Sequence, residues 1–272
     1  MQRRSPLITY ALFLPDYPTY FWITAITAVI LVGIAKAGFG GGIGVIATPL
    51  MALTIPVADA AALLLPLLII IDLISVRHYY RTYDKPSLRI LLPSAIAGIL
   101  IGALFFSLFR DNDRVLRMGI GLLALAFLAY QAGHRLLMGA LENRRPPKLA
   151  GILLGALAGF ASTLAHAGGP PAAIYLLPQG LARGIFVGTS VVFFTAVNLI
   201  KIVPYTALGL LRVGNLTTIL LLAPLGYVGV RLGLYLNRRF NDVWFTRLIY
   251  ILLLLTALEL LSGQSLIGLL YK

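Results

Sequence analysis

Long apolar runs, separated by short polar and mostly basic segments, make up most of the chain. A helix that crosses a bilayer needs roughly 20 mainly apolar residues. Eight runs approach or exceed that length, at residues 20–36, 58–76, 90–109, 115–138, 149–165, 185–203, 213–236 and 243–261. The pattern predicts an all-α protein, a polytopic transmembrane helical bundle, with the whole chain 1–272 as a single membrane domain.

Two shorter apolar stretches interrupt this pattern, at residues 41–55 and 167–178. Each is too short to cross a bilayer comfortably, and each contains glycine and proline. Discontinuous helices of this kind are typical of the binding sites of secondary transporters. Each stretch is therefore predicted to form a half-helix or a re-entrant segment.

The second half of the chain repeats the order of parts in the first half. Each half opens with a long apolar run, passes through one short segment and continues with three further long runs. Duplication of this kind is common in secondary transporters. We predict repeat 1 at about 19–139, a linker at about 140–148 and repeat 2 at about 149–262. Each repeat would hold about four spanning helices and one short broken or re-entrant helix.

Two orientations of the repeats are compatible with the sequence. If each half crosses four times, the repeats are parallel and both termini are cytoplasmic, which places the basic segments 77–89 and 135–148 inside. The basic residues Arg231, Arg238, Arg239 and Arg247 fit better with an inverted arrangement, in which the short segments cross fully. The parallel arrangement is the one we favour from the sequence.

Composition limits the classes of function that the chain can have. The sequence is 60% hydrophobic and 11% charged, with a net charge of +13. Because the basic residues cluster between apolar runs, they match loops that obey the positive-inside rule, and no nucleic-acid partner is expected. The sequence has no cysteine and no metalloprotease, serine-hydrolase or P-loop motif, and its three histidines lack metal-ligand spacing. We therefore expect no enzyme activity, no metal and no cofactor.

A glycine-rich segment follows the first apolar run, with five glycines within seven residues, at positions 38, 40, 41, 42 and 44. Each glycine costs a helix about 1 kcal/mol relative to alanine, so the segment predicts a helix break. A membrane tolerates such a break only against protein or a water-filled cavity. The start of the next short helix would offer N–H groups and a positive dipole end to an anion. Close helix packing between small residues is the alternative.

The corresponding segment of the second half is 159–171, where a helix rich in small residues ends and prolines begin another. Pro170 and Pro171 suit a first helical turn, where a missing N–H costs nothing. Ser162, Thr163 and His166 could line a polar cavity. A structural histidine with ordinary hydrogen bonds is the alternative for His166.

Ionisable residues within the spans are expensive there and are functional candidates. Asp72 lies within a first-half span, and Asn198 and Lys201 lie in the corresponding span of the second half. Lys201 could supply a point charge to an anion. The alternatives are that Lys36 and Lys201 extend to the membrane interface, and that Asp72 pairs with the nearby Arg77 or His78.

Three segments, taken in order, connect this chain with a known family. They are residues 38–50, the run Gly168-Gly169-Pro170 followed by Tyr175-Leu176-Leu177, and the run Gly188-Thr189-Ser190 leading to Asn198 and Lys201. In these segments, and over nearly the whole chain, the sequence resembles the TauE/SafE family of sulfite exporter-like anion transporters. The resemblance implies a multi-pass permease of the bacterial inner membrane with duplicated halves. Its implied substrate is sulfite, sulfoacetate, thiosulfate or a related sulfur-containing or organic anion.

We therefore predict a membrane transporter of a small anion, a sulfur-containing oxyanion or an organosulfonate, that works by alternating access. An anion channel and a motif-poor intramembrane enzyme acting on lipid are the alternatives. Membrane lipids are the other expected partners, and a homodimer is an open alternative to a monomer. The predicted substrate-binding residues are Gly40, Gly41, Gly42, Gly44, Thr48, His166, Gly168, Gly169, Asn198 and Lys201, with Asp72 and His166 as candidates for coupling to a proton or cation.

Overall fold

The computed structural model describes residues 17–38, 43–141, 146–211, 215–239 and 242–263. Within these ranges the chain is helical, which confirms the predicted all-α class. The first half contains α1 (Thr19–Gly38), a 3₁₀ turn (Ile43–Ile46), α2 (Ala47–Ala52), α3 (Val57–Tyr79), α4 (Lys85–Phe109) and α5 (Asp113–Leu141). The second half contains α6 (Lys148–Ala165), α7 (Gly169–Leu176), a 3₁₀ turn (Leu177–Gln179), α8 (Arg183–Ala207), α9 (Asn215–Arg239) and α10 (Asp242–Ser262).

Seven of the described helices, α1, α3, α4, α5, α6, α8 and α9, are long and apolar enough to cross a membrane. In α10, the apolar stretch among the described residues is Ile249–Ser262, which is shorter than the spans of the other seven helices. Large apolar side chains such as Leu100, Leu104 and Leu108 of α4 are exposed on the outer surface, where a soluble protein would be polar. The chain is a multi-pass membrane protein, as the apolar runs predicted.

The two halves interlock through their long helices. The first helix of each half packs against the third long helix of the other half, so that α1 contacts α9 and α6 contacts α4. Glycines permit this close approach: a methyl group on Gly98 would lie 1.8 Å from the carbonyl oxygen of Ala156, and one on Gly229 would lie 2.6 Å from that of Ile30. Such contacts are the membrane counterpart of core packing, because lipid gives helices no hydrophobic reason to associate.

Two of the buried apolar clusters each join three elements of one half to a long helix of the other. One joins α1, α2 and α3 with α9, and includes Phe21, Met51 and Leu64. Another joins α6, α7 and α8 with α4, and includes Leu91 and Phe193. A further cluster includes Phe106, Leu164 and Leu253 and spans both halves. The long helices α3 and α8 also contact each other.

One face of the bundle, here called the first face, carries the start of α1, the turn between α2 and α3, and the start of α5. The Thr24 and Thr54 hydroxyl oxygens lie 3.1 Å apart, and the Val57 N–H donates to the Asp113 carboxylate at 2.9 Å. The Arg114 guanidinium donates to the Leu261 carbonyl at 2.8 Å, which places the end of α10 on the same face.

The opposite face, here called the second face, carries the turn between α3 and α4. The Asp84 N–H donates to the Thr189 hydroxyl at 2.8 Å, so α8 begins there. The Ser87 hydroxyl donates to Gln179 at 3.2 Å, so the segment that follows α7 ends there. The short helices therefore leave the middle of the bundle in opposite directions, α2 toward the first face and α7 toward the second.

These directions differ from those of the favoured parallel orientation of the halves. α1 and α3 both run from the first face toward the second, and the short α2, between them in the sequence, runs toward the first. By contrast, α6 runs alongside α4, from the second face to the first, with Gly151 against Ile90 and Gly102 against Thr163. The inverted arrangement, which the sequence left as the alternative, fits the described contacts.

Candidate functional site

A cavity lies in the middle of the bundle, where α3 and α8 cross and where both short helices begin. Its volume is about 50 Å³. Its polar lining consists of Lys36, Asp72, Ser75, Ser162, His166, Ser190 and Asn198, and the rest of the wall is Val32, Ala47, Leu64, Leu68, Gly169, Val187, Val191 and Phe194. A cavity needs roughly 10–15 Å³ to hold one water molecule, so this cavity has room for about four.

An ion pair, whose carboxylate also accepts a hydrogen bond from an amide, forms one side of the cavity. The Lys36 ammonium, from the end of α1, contacts the Asp72 carboxylate of α3 at Oδ1. The Asn198 amide, from α8, donates to the other oxygen of Asp72, Oδ2, at 2.6 Å. Asp72 therefore joins α3 to one helix of each half, and its side chain is 3% exposed against 16% for Lys36.

A second lysine lies on the other side of the cavity, one layer behind its wall. Lys201 of α8 is completely buried. Its ammonium donates to the Ser162 carbonyl at 2.9 Å and to the Ser162 hydroxyl at 3.0 Å, and it lies 2.9 Å from Nδ1 of His166. These three partners use its three N–H groups, and all three are neutral acceptors.

The His166 ring fixes its own tautomer through these contacts. Because a carbonyl oxygen can only accept, Nε2 carries the proton that it donates to the Ala61 carbonyl at 2.9 Å, and in the neutral ring Nδ1 is then the acceptor for Lys201. The residue ends α6 with a left-handed backbone, at φ 52°. A side chain in this conformation costs about 1–3 kcal/mol and is characteristic of functional sites. The neutral ring links α6, α8 and α3 beside the cavity.

The short helices contribute less hydrogen-bonding capacity than the sequence predicted. Gly169 at the start of α7 and Ala47 at the start of α2 line the cavity. However, Pro170 and Pro171 follow Gly169 and have no N–H. The start of α7 therefore presents its dipole and few N–H donors.

The structure brings together part of the predicted site. Asp72, His166, Gly169 and Asn198 line the cavity, and Lys201 lies directly behind it. Gly44 lies in the 3₁₀ turn before α2, and Gly40, Gly41 and Gly42 lie outside the described residues.

Two predicted residues occupy other positions. Gly168 packs against α6, where a methyl group would lie 2.6 Å from the Ala158 carbonyl oxygen. Thr48 is buried in α2, its hydroxyl has no hydrogen-bond partner, and it is not part of the cavity wall.

The interpretation of the lysines as interface residues is wrong, and the described partner of Asp72 is Lys36 rather than Arg77. Lys201 is buried inside the bundle, and Lys36 pairs with Asp72 in the cavity, so neither extends to the interface. Asp72 contacts Lys36 and Asn198, whereas Arg77 is exposed. Sequence reasoning missed Ser75 and Ser190 as wall residues and left Lys36 out of the site, although its place beside the glycine-rich segment was a signal.

Among the residues that the structure describes, no cluster of three or more histidine, aspartate or glutamate side chains could hold a metal ion. The polar groups of the cavity are two ammonium groups, one carboxylate, one amide, one imidazole and several hydroxyls. These groups suit the binding of a small charged solute.

A bundle of membrane-crossing helices around a buried, charged cavity defines a membrane transport protein in class. The family model described as "Sulfite exporter TauE/SafE" matches residues 25–260. The chain belongs to the TauE/SafE family of membrane transporters, as the resemblance of the glycine-rich segments indicated. No curated protein and no solved structure matches the chain significantly.

Proposed function

We propose that this protein is a carrier that moves a small anion, a sulfur oxyanion or an organosulfonate, across the bacterial inner membrane by alternating access. The observation that carries the proposal is the excess of positive charge at the cavity. Two lysines, Lys36 and Lys201, face a single carboxylate, Asp72. With both lysines protonated, Asp72 ionised and His166 neutral, the site has one net positive charge inside an apolar bundle.

A net charge in such surroundings is unfavourable without a counter-ion, because apolar material screens it poorly. A bound anion would neutralise the site. The cavity of about 50 Å³ has room for several water molecules, and a small oxyanion would take their place. Size and charge therefore support the same class of substrate.

Hydroxyl groups give the anion its hydrogen bonds. The Ser162 hydroxyl oxygen accepts from Lys201, so its own proton remains available to the cavity. The Lys201 ammonium also polarises the Ser162 hydroxyl, which makes this hydroxyl a stronger hydrogen-bond donor toward the cavity. Ser190 and Asn198 complete the polar lining from α8.

The arrangement of the halves supports alternating access. We propose that residues 19–139 and 149–262 are inverted repeats, because corresponding helices run in opposite directions and pack against corresponding partners. In transporters with inverted repeats, rocking of one part against the other opens a central site alternately to each side. The cavity lies where α3 of one half crosses α8 of the other, the position that such a motion would expose in turn.

Counterflow in proteoliposomes tests the proposal. The purified protein is reconstituted with unlabelled sulfite inside, and uptake of labelled sulfite is measured, followed by competition with thiosulfate and methanesulfonate. A carrier accelerates uptake when substrate is present on the far side, whereas a channel does not. Absence of protein-dependent flux of every anion in the panel would refute the proposal, and flux without acceleration would favour the channel.

A further inference from the structure

The Asp72 carboxylate occupies the place that an anionic substrate would take. It lies in the cavity wall, 3% exposed, in contact with the Lys36 ammonium through Oδ1. Oδ2 accepts the Asn198 amide at 2.6 Å. A carboxylate held by an ammonium and an amide is bound in the way that the same donors would bind a sulfonate or sulfite oxygen.

We propose that Asp72 sets the charge that the site accepts: a monovalent anion binds alone, whereas a divalent anion binds together with one proton, which Asp72 takes up. This inference rests on the proposed anion transport, and it names both the valence of the substrate and the residue that couples it to protons.

The charges at the cavity give the rule. With both lysines protonated and Asp72 ionised, the net charge is plus one, and one monovalent anion neutralises it. A divalent anion would leave one net negative charge in the middle of the bundle, where an uncompensated charge is expensive. Protonation of Asp72 removes that excess, so the complex of divalent anion and proton is neutral again.

The proton step follows from the contacts. When the divalent anion binds, the Lys36 ammonium donates to an anion oxygen in place of Oδ1 of Asp72. A proton from water on the side of entry then binds Oδ1, which has lost its partner, while Asn198 continues to donate to Oδ2. On release the proton leaves Asp72, and Lys36 returns to the carboxylate.

The surroundings of Asp72 contain few other titratable groups that could take this role. The groups that face it from neighbouring helices are Lys36 from α1, Lys201 from α8 and His166 from the end of α6. Asp113 and Arg117 of α5 bind the opposite end of α3, at Val57, and the segment before it. On α3 itself, Asp59 lies in the first turn and Arg77 is exposed near the last. Arg231 of α9 is exposed, which leaves Asp72 as the carboxylate of the cavity among the described residues.

Binding of two probes of equal size and unequal charge tests the rule. Methanesulfonate has one negative charge and sulfate has two across the range from about pH 5 to about pH 8, and both are tetrahedral with five non-hydrogen atoms. Their affinities for the purified full-length protein are measured by titration calorimetry at several pH values. For the unaltered protein we expect methanesulfonate affinity to stay within about twofold, and sulfate affinity to rise by up to about tenfold for each unit of falling pH.

Two variants identify Asp72 as the proton acceptor. In Asp72→Asn the site has a net charge of two, so sulfate should bind with an affinity that no longer depends on pH. This variant leaves Lys36 without its counter-charge and could fail to fold, so the double variant Lys36→Gln/Asp72→Asn restores a net charge of one without a carboxylate. There sulfate should bind weakly at every pH, with an affinity that no longer rises as the pH falls. Asp59→Asn, on the same helix but outside the cavity, is the matched control and should behave as the unaltered protein.

The outcomes separate this inference from the proposed function. Binding of both probes without any pH dependence for sulfate would overturn the charge rule and leave anion transport standing. A pH dependence that persists in the double variant would also overturn it, because another group would then be the acceptor. If neither probe nor sulfite binds the unaltered protein, the proposed function itself fails.

Discussion

Lys36 and Lys201 differ in the partners that surround them. Lys36 faces a carboxylate, so its charge is compensated within the cavity wall. Lys201 is fully buried among a carbonyl, a hydroxyl and an imidazole nitrogen, which satisfy its hydrogen bonds without neutralising its charge. A buried cation without a carboxylate partner is rare because desolvation is costly, and this one therefore marks the position where a substrate charge is most strongly favoured.

Replacing Lys201 by glutamine tests this role. The amide can still donate to Ser162, but the positive charge is lost. At a separation of about 6–8 Å and an effective dielectric constant of about 20, the attraction between one lysine charge and a bound anion is roughly 2–3 kcal/mol. We therefore expect anion uptake in proteoliposomes to fall by more than about tenfold. The melting temperature in detergent should change much less than transport.

Lys148→Gln, at the exposed start of α6, is the control for a generic loss of one positive charge. It should leave uptake within about twofold, since exposed charges are screened by solvent. If uptake by Lys201→Gln matched that of this control, the charge of Lys201 would have no part in transport.

The sequence was sufficient to find several residues of the site, because ionisable residues within apolar runs are few. Asp72, Asn198 and Lys201 were identified in this way and lie together. The sequence could not identify Lys36 as the partner of Asp72, because Arg77 is nearer along the chain and was an equally good partner. Only the packing of α1 against α3 decides between the two. The packing of the helices also decides the position of Thr48. This residue was predicted to bind substrate because it follows a glycine-rich segment, but it lies outside the cavity wall.

Among the helices, the tightest contact joins α4 to α6. Methyl groups on Gly98 and Gly159 would lie 1.8 and 2.1 Å from backbone carbonyl oxygens of the facing helix. Backbone atoms cannot rotate away as a side chain can, so the helices would have to separate. We expect Gly98→Ala or Gly159→Ala to cost about 1–3 kcal/mol, the usual range for overpacking, and to lower the melting temperature by several degrees.

Gly184→Ala is the matched control for this pair, because a methyl group there would have no neighbour within 4 Å. Thermal unfolding followed by fluorescence in detergent measures all three variants. Equal melting temperatures for Gly98→Ala and Gly184→Ala would show that the α4–α6 contact does not limit stability.

The existence of the helices was predictable from the lengths of apolar runs, and their directions were not. The predicted stretches 41–55 and 167–178 correspond to α2 and α7 with their 3₁₀ turns. Length alone shows that such a stretch cannot easily cross, and from this the sequence favoured a chain that does not change sides there. The structure differs because each short helix starts at the central cavity and continues to a face, α2 to the first face and α7 to the second.

At the scale of the whole molecule, basic residues are concentrated on the second face. It carries Arg81 in the turn between α3 and α4, Lys85 at the start of α4 and Lys148 at the start of α6. On the first face, the turn between α4 and α5 balances its arginines with Asp111 and Asp113.

Because cytoplasmic loops carry the excess of lysine and arginine, this distribution assigns the second face to the cytoplasm. Both ends of the described chain, near Tyr17 and Gly263, then lie outside, opposite to the orientation expected from the parallel arrangement. The natural absence of cysteine makes the assignment easy to test, since a single introduced cysteine is the only thiol. Asp111→Cys and Thr82→Cys place exposed thiols on the first and second faces.

A maleimide that cannot cross membranes should label Asp111→Cys in right-side-out bacterial membrane vesicles and Thr82→Cys only in inside-out vesicles. The reversed pattern would place the first face in the cytoplasm. Labelling of both thiols from one side would contradict the structure itself, because α4 joins the two turns and must then fail to cross. With the predicted pattern, α1 enters from outside and α6 from the cytoplasm. This orientation would fit the alternating access proposed above, in which each side of the membrane reaches the cavity in turn.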